Sequence, residues 1–345
     1  MDQRFDAIRA WLGEILSGER MEMVAASKDA SFRRYFRVFG MADQKSLIVM
    51  DAPPTQEDSR PFVRVAESLH KAGVNVPEVL AADLRQGFLL LSDLGSVHYL
   101  QALAENRHHE DYVHRLYGDA MGALLAIQAC ASCDGLPVYD DQRLRDEMNL
   151  FPDWFLTHHL EITVTNPTRA ILDDAFDFLQ RVAAEQPRVF VHRDYHSRNL
   201  MLSKYQNPGI LDFQDAVCGP ITYDLLSLLK DVYINWPPSQ VDNWVLGYRN
   251  LAIQHGILTS DVEEGTWLRW FHLMGVQRHL KVAGIFARLY YRDGKPGYLA
   301  DIPLTLDYLT SACARYPELA ALSGLLDELA LKARTQERNT AVLAT

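Results

Sequence analysis

Apolar positions at the start of the chain follow the period of an α-helix. Phe5, Ile8, Leu12 and Ile15 recur every three or four residues, and Gly18 follows them. This spacing gives a helix one apolar face, and glycine commonly ends a helix because it adopts left-handed backbone angles at low cost. The pattern predicts a packing helix that ends near Gly18.

β-rich runs replace the helical pattern between residues 31 and 50. The runs 35–39 and 47–49 are rich in aromatic and β-branched residues, and the polar segment 40–45 separates them. This arrangement is typical of a β-hairpin. Residues 87–92 then predict a buried strand that leads into the turn Asp93-Leu94-Gly95. We expect a small sheet in this part of the chain.

A second helix is predicted within the same region. Ser59 can cap its start, because a serine hydroxyl accepts a backbone N–H there, and Gly73 can end it. Its apolar face consists of Phe62, Val65, Ala66 and Leu69.

Long helical patterns dominate after residue 96, over 110–130, 168–185 and 262–291. Three short apolar runs interrupt them between residues 189 and 213 and predict a small hairpin-rich sheet. The segment after Lys332 is polar, and we expect it to fray. The chain is therefore expected to have an α+β fold. A small β-rich lobe would span 1–95, a larger helical lobe 96–335, and a polar tail 336–345.

Composition limits the classes of protein to which the chain can belong. Its 345 residues are 48% hydrophobic, enough for two domains or one bilobal enzyme. Its 45 acidic residues outnumber 34 basic ones, and the formal charge of -11 repels nucleic acid and anionic membranes. No run of about 18 apolar residues occurs, and the first residues are charged, unlike a secretory signal. We expect a soluble, cytoplasmic protein.

Four cysteines are too few and too scattered for a disulfide framework. Cys130 and Cys133 have the spacing of a redox or metal pair, but no second pair and no nearby histidine completes a zinc site. The simpler interpretation is two small buried residues at the end of a helix.

Titratable and amide side chains are concentrated in two segments. The first has the order His192-x-Asp194-x-x-x-x-Asn199, and the second, 210–213, reads Ile-Leu-Asp-Phe with Asp212 as its carboxylate. Phosphoryl transfer needs one carboxylate near the acceptor hydroxyl and separate oxygen ligands for Mg²⁺. Asp194 suits the first role, and Asn199 with Asp212 suits the second. The alternative is that these residues only cap turns.

These motifs resemble the catalytic and metal-binding loops of the aminoglycoside phosphotransferase family, distant relatives of protein kinases. The segment 219–225, Gly-Pro-Ile-Thr-Tyr-Asp-Leu, matches a further element of that family. The resemblance implies a bilobal protein-kinase-like fold and the cofactors ATP and Mg²⁺. It also implies Asp194 as catalytic base, with Asn199 and Asp212 as metal ligands.

Three more roles follow from the resemblance. Asp224 would brace the catalytic loop, and His192 would orient it. Asp93 lies in the turn that corresponds to the hinge of the nucleotide site, and we include it among the cofactor-binding residues.

Two features depart from the family pattern. The family usually has a lysine in the third strand, paired with a helix glutamate, but this chain has Met50, and Lys45 lies too early in the strand. Glu67, the candidate partner, is left without an assigned role.

The loop 26–34 is also short of glycine. Ser27 and Ser31 can still donate hydrogen bonds to phosphate, and Lys28, Arg33 or Arg34 can supply the missing charge. The alternative for the two arginines is a solvated strand edge.

Basic residues are concentrated between residues 267 and 295 of an otherwise acidic chain. They are Arg269, Arg278, His279, Lys281, Arg288, Arg292 and Lys295. One interpretation is a solvated helix face. The functional interpretation is that these residues bind an acceptor that carries a carboxylate, because arginine binds carboxylates through paired hydrogen bonds.

Aromatic residues near this region have two interpretations as well. Trp236, Trp267, Trp270 and Phe271 could stack on a sugar or belong to the core. The candidate acceptor-binding residues are His196, Trp236, Arg278 and His279.

Residues 274–288, with 46–54 and 301–303, are similar to a bacterial subfamily of anomeric sugar kinases. That resemblance implies a small amino-sugar substrate, N-acetylmuramate or N-acetylglucosamine, an α-1-phosphate product and recycling of cell-wall peptidoglycan sugars. The alternatives are a kinase of the same fold for an aminoglycoside, choline or thioribose, and a non-catalytic nucleotide-binding module.

Overall fold

The computed structural model describes residues 2–16, 21–28, 32–40 and 46–343, with the backbone alone at Ser27 and Lys28. Two compact units share the chain. The first unit comprises residues 1–132 and 198–215, and the second comprises 133–197 and 216–345. These units differ from the lobes expected at 1–95 and 96–335, and the lobe boundaries stay a prediction.

A five-stranded antiparallel sheet organises the first unit. Its strands are β1 (Glu22–Lys28), β2 (Arg34–Phe39), β3 (Leu47–Asp51), β4 (Val79–Asp83) and β5 (Phe88–Ser92). They lie in the order β1-β2-β3-β5-β4. The predicted hairpin is confirmed as β2 and β3, with Phe36 opposite Val49. The predicted buried strand is β5.

The first helix covers one face of this sheet. Helix α1 (Gln3–Ile15) places Ile8 and Leu12 in a cluster with Val49 and Leu90, which confirms the predicted packing helix. Gly18, its predicted end, lies outside the described residues. Because side chains alternate along a strand, the residues next to Val49 point to the opposite face.

Helix α2 (Arg60–Lys71) follows β3. The predicted Ser59 cap is wrong, because Ser59 already has helical backbone angles and makes no capping bond. The preceding Asp58 accepts the backbone N–H of Arg60 at 3.0 Å and so satisfies that end of the helix. Gly73, with φ of 78°, follows the end of α2 as predicted.

Two further helices, α3 (Tyr99–Glu105) and α4 (Glu110–Cys130), belong to the first unit. The short strands between residues 188 and 220 are β6 (Arg188–Val191), β7 (Leu200–Met201), β8 (Gly209–Ile210) and β9 (Val217–Pro220). The structure pairs β7 with β8 and β6 with β9 as separate ladders. The prediction that these apolar runs form one small sheet is therefore wrong.

Helices form most of the second unit. They are α5 (Asp141–Leu150), α6 (Asn166–Ala184), α7 (Thr222–Leu229), α8 (Pro238–Gln254), α9 (Glu264–Asp293), α10 (Ile302–Arg315), α11 (Ala320–Glu328) and α12 (Leu331–Leu343). A π-helical segment, Phe151–His159, continues α5. Helix α9 packs against α5, α6, α7, α8 and α10. The helices predicted at 168–185 and 262–291 are confirmed as α6 and α9.

Gly284 permits a close approach of α9 to α5. A Cβ atom added at Gly284 would lie 2.3 Å from the carbonyl carbon and oxygen of Leu150. No side chain fits at this crossing, so glycine is required there.

The carboxyl-terminal segment is helical, and the expectation that it frays is wrong. In α12 the Thr335 hydroxyl donates to the Leu331 carbonyl at 2.7 Å, and the Asn339 amide donates to the Leu299 carbonyl at 2.8 Å. A few buried contacts hold a segment whose composition is polar.

The cysteine interpretation also needs correction. Cys130 is exposed and Cys133 is partly exposed, so they are not two buried residues. Over the described ranges, no group of three His, Cys, Asp or Glu residues is arranged to hold a metal ion. Within the same ranges, none of the helices combines the length and apolar character needed to cross a bilayer.

Candidate active site

A cavity of about 640 Å³ lies in the first unit. Apolar side chains from the sheet face opposite α1 and from the β7–β8 hairpin form much of its wall, among them Ile48, Leu91, Met201 and Leu211. The polar residues on the wall include Asp93, His98, Asn199 and Asp212. A mostly apolar cavity with a few polar groups is typical of a small-molecule site.

The two predicted metal ligands are brought together in this cavity. Asn199 Nδ2 lies 3.5 Å from Asp212 Oδ2. The backbone N–H of Leu211 donates to the Asn199 carbonyl at 2.9 Å and ties the two segments. Asp212 has left-handed backbone angles, with φ of 62°, and Gln214 donates to its other oxygen at 2.8 Å. Carboxylate and amide oxygens are the protein ligands that Mg²⁺ prefers, so this pair fits the ion.

Asp93, which was predicted to bind the cofactor, lines the cavity, but its carboxylate already accepts hydrogen bonds from protein groups. It accepts hydrogen bonds from Arg37 Nε and Ser46 Oγ, both at 2.6 Å, and from the Gly95 N–H at 2.9 Å. Burial opposes ionisation of this group, yet the three donors outweigh it and lower the pKa of Asp93. Asp93 therefore shapes the turn, and sequence reasoning missed its partner Arg37.

With Met50 in place of the family's lysine, the third strand has no positive charge. It is fully buried between Tyr35 of β2 and Leu89 of β5. Arg33 brings a positive charge close to Asp212, one of the two predicted metal ligands. Its Nη1 lies 3.8 Å from Asp212 Oδ1, and its Nη2 lies 3.2 Å from Glu57.

The side chain of Arg33 is only 9% exposed, so the solvated-edge alternative is wrong for this residue. Glu57, which sequence reasoning missed, partners Arg33. Glu67 is exposed on α2.

Arg34 has a different environment. Its Nε donates to Asp51 Oδ2 at 2.9 Å, and it also pairs with Asp2. Arg4 binds the other oxygen of the buried Asp51. Arg34 thus compensates a buried carboxylate, which argues against its predicted phosphate role. The side chains of Ser27 and Lys28, and Ser31 as a whole, lie outside the described residues.

The second unit holds the part of the catalytic loop up to Ser197. Asp224 is fully buried and accepts the backbone N–H groups of His192 at 2.6 Å and Arg193 at 2.9 Å. Burial raises the pKa of Asp224 to about 6, although His192 and these hydrogen bonds partly oppose the shift. His192 Nδ1 in turn accepts the N–H of Asp194 at 3.3 Å. This geometry fits the bracing and orienting roles expected of Asp224 and His192.

Asp194 keeps 40% of its side chain exposed. Desolvation opposes its ionisation, but the cations Lys281, Arg278 and Arg193 hold the pKa of Asp194 well below its usual range. The carboxylate is therefore ionised at neutral pH and can accept a proton or a hydrogen bond.

A largely buried carboxylate beside this loop was missed by sequence reasoning. Glu147 of α5 pairs with Lys281 Nζ at 3.1 Å and with Arg193. The Tyr139 hydroxyl donates a hydrogen bond to the Glu147 carboxylate. The pKa of Glu147 is lowered, because Lys281 and Arg193 outweigh its burial. Helical spacing in the sequence could have revealed this carboxylate. Glu147 stands three residues after the core residue Leu144 and hence lies on the same, buried face of α5.

At its centre, the basic region is buried and is not the solvated helix face that one of the two interpretations predicted. Arg278, His279 and Lys281 are buried, whereas Arg292 is exposed. Lys281 Nζ and Arg278 Nη1 both reach the Tyr223 hydroxyl, at 2.9 and 3.4 Å.

The other acceptor candidates have varied surroundings. His196 packs edge-to-face on Tyr233, and burial lowers the pKa of His196 to about 4, so it is neutral at neutral pH. His279 stacks on Tyr308. Trp236 is buried against Trp244, which favours its alternative role in the core.

Comparison of the amino-acid sequence with known proteins identifies similar proteins. A profile of the phosphotransferase enzyme family (APH) matches residues 22–256. An N-acetylmuramate/N-acetylglucosamine kinase from Pseudomonas aeruginosa is 50% identical over 339 residues, which cover 95% of this chain and 97% of that protein. The kinase of the same name from Neisseria meningitidis is 42% identical over 328 residues, with coverages of 95% and 96%.

Solved structures share the fold at low sequence identity. The ethanolamine kinase of Plasmodium vivax has a TM-score of 0.61 at 10% identity, covering 85% of this chain and 82% of that chain. The ADP-bound aminoglycoside phosphotransferase APH(2'')-Ib has a TM-score of 0.56 at 13% identity, with coverages of 89% and 98%. These similarities confirm the expected protein-kinase-like α+β fold.

Proposed function

Because the chain belongs to the phosphotransferase enzyme family, we propose that it transfers the γ-phosphate of ATP to the anomeric hydroxyl of N-acetylmuramate and N-acetylglucosamine. The product would be the α-1-phosphate, which serves in recycling of peptidoglycan sugars. We place this reaction in the cytoplasm, where ATP is available, without a nucleic-acid or membrane partner. The named kinases of Pseudomonas aeruginosa and Neisseria meningitidis support the substrate.

One observation in the molecule carries the proposal, namely the environment of Asp194. Its carboxylate is held ionised by neighbouring cations and is positioned by a loop that Asp224 and His192 hydrogen-bond. Asp194 orients the acceptor hydroxyl and takes its proton as the bond to phosphorus forms.

The nucleotide site is proposed in the cavity of the first unit. Its apolar wall suits a purine base, and Asn199 with Asp212 would hold Mg²⁺. The ion, when bound, offsets the charge of the phosphates. Arg33, at 3.8 Å from Asp212, contributes the charge that Met50 does not.

Turnover of MgATP with four acceptors tests the function. N-acetylmuramate, N-acetylglucosamine, kanamycin and choline are offered in parallel, and phosphorus NMR identifies the product. We expect a sugar 1-phosphate with the first two acceptors. Turnover with kanamycin or choline alone would reject the amino-sugar substrate, and nucleotide binding without turnover would favour the non-catalytic module.

A further inference from the structure

Arg278 is a buried cation beside the proposed catalytic base. It is 5% exposed, and its Nη1 lies 3.9 Å from Asp194 Oδ1. The same Nη1 faces the Arg193 carbonyl at 3.2 Å and the Tyr223 hydroxyl at 3.4 Å. Both of these hydrogen-bond acceptors are neutral. Over the described parts of the chain, Nε and Nη2 of Arg278 have no hydrogen-bond partner.

The neighbouring cations are paired differently. Lys281 lies 3.1 Å from Glu147, and Arg193 binds the same carboxylate. The 3.9 Å between Arg278 and Asp194 exceeds hydrogen-bond length. Of these three cations, Arg278 alone is without a hydrogen-bonded carboxylate.

The other carboxylates near Arg278 are used by the catalytic loop. Asp224 accepts the N–H groups of His192 and Arg193, and Asp231 accepts the N–H of Ser197 at 3.0 Å. A buried guanidinium without a hydrogen-bonded anion is costly, and its planar fork matches a carboxylate through two parallel hydrogen bonds. The site thus offers the free edge of Arg278 to an anion that comes with the substrate.

We propose that Arg278 binds a carboxylate carried by the acceptor, namely the lactyl carboxylate of N-acetylmuramate, and thereby favours this sugar over N-acetylglucosamine. The inference rests on the proposed function, because it takes both sugars as acceptors. An acceptor held by Arg278 is held next to Asp194. N-acetylglucosamine has no lactyl group and does not use this contact.

Substitution of Arg278 separates recognition from support of the base. Arg278→Lys keeps a positive charge near Asp194 but removes the fork. We expect kcat/KM for N-acetylmuramate to fall by about 10- to 100-fold, the usual range for a hydrogen bond to a charged group. For N-acetylglucosamine we expect a change of less than about threefold. Lys281→Gln is the matched control, because Lys281 is paired with Glu147 and its loss should affect both sugars alike.

A change in the sugar, in place of a substitution in the protein, tests the same contact. The amide of the lactyl carboxylate keeps the shape of N-acetylmuramate and removes its charge. Wild-type protein should lose about the same factor with the amide as Arg278→Lys loses with the acid. In Arg278→Lys, the preference for the acid over the amide should be much smaller than in the wild type, because only the point charge remains.

Three results would overturn the inference. Equal losses of kcat/KM for both sugars in Arg278→Lys would mean that Arg278 supports Asp194 or contacts the transferred phosphoryl group. Equal use of acid and amide by the wild type would mean that the carboxylate is not bound, even if the variants failed to fold. If the wild type phosphorylated neither sugar, the proposed function itself would fail, and the inference with it.

Discussion

At the scale of single residues, the neighbours of a carboxylate decide what it can do. Asp194 lies in a loop and Asp224 lies in the first turn of α7, and their pKa values shift in opposite directions. Cations around Asp194 outweigh its desolvation, whereas burial dominates at Asp224. One aspartate is therefore suited to act on a substrate, and the other to hold backbone N–H groups.

Asp194→Asn should abolish most turnover with little change in fold. The amide cannot accept the acceptor proton, and general-base catalysis is usually worth about 10²- to 10⁴-fold. Steady-state kinetics and thermal unfolding measure the two effects. Asp215→Asn, at an exposed carboxylate nearby, is the control. Near wild-type rates in Asp194→Asn would refute the role of the base.

Asp212→Ala should remove the dependence of nucleotide affinity on magnesium. The carboxylate is one of the two proposed ligands, and its loss leaves Asn199 alone. Calorimetric titration of ATP with and without Mg²⁺ measures the effect, with Asp215→Ala as a control of equal charge change. An unchanged magnesium response would contradict the ligand assignment.

Asp224 should make stability depend on pH. A pKa raised to about 6 in the fully buried group means that the folded state binds the proton more tightly than the unfolded state. The resulting stabilisation is complete below about pH 4 and is lost as pH rises through 6, by about 3 kcal/mol.

The comparison of wild type with Asp224→Asn isolates this contribution. The free energy of unfolding of the wild type, relative to the variant, should fall by that amount between pH 4 and pH 7. Urea titrations at each pH measure it. A constant difference would show that the pKa of Asp224 is not raised.

At the scale of elements, the local pattern predicted helices and strands well where one face is apolar. Helices α1, α6 and α9 and the β2–β3 hairpin follow from periodicity, because backbone geometry fixes which residues share a face. The Ser59 cap failed because capping depends on backbone angles at one residue. The prediction of one sheet from the short strands β6 to β9 failed because β6 pairs with β9, which is not its neighbour in sequence, while β7 and β8 pair only with each other.

Gly284→Ala should destabilise the protein where α9 meets α5. The new methyl group would overlap the Leu150 carbonyl, and overpacking of this kind costs about 1–3 kcal/mol. Thermal unfolding measures the loss. Gly265→Ala lies in the same helix with no atom near its Cβ position, so its stability should be unchanged or slightly raised. Equal effects of the two substitutions would contradict the close crossing.

At the scale of the whole molecule, the last helix belongs to the folded second unit although its composition is polar. Leu331 is 2% exposed, whereas Leu343 in the same helix is 53% exposed. Leu331→Ala should cost about 2–5 kcal/mol, while Leu343→Ala should cost less than about 0.5 kcal/mol. Chemical unfolding distinguishes them, and similar costs would mean that α12 is not anchored at Leu331.

The amino-acid sequence by itself determined the class of chemistry and most of the helices. Asp194, Asn199 and Asp212 stand at fixed spacings in two short segments, so they could be proposed as the groups for phosphoryl transfer without a structure. Helical periodicity is equally local, since hydrogen bonds within the helix join residues four apart.

Only the tertiary structure decided which charges pair. Arg34 binds Asp51, Lys281 binds Glu147, and Arg278 lies beside Asp194 without a hydrogen-bonded carboxylate of its own. The members of the last two pairs are far apart in sequence, and the strength of each pair depends on distance and burial. Neither quantity can be read from local pattern, because both arise when helices and strands pack. The assignment of Arg278 to the acceptor therefore rests on packing that the sequence does not display.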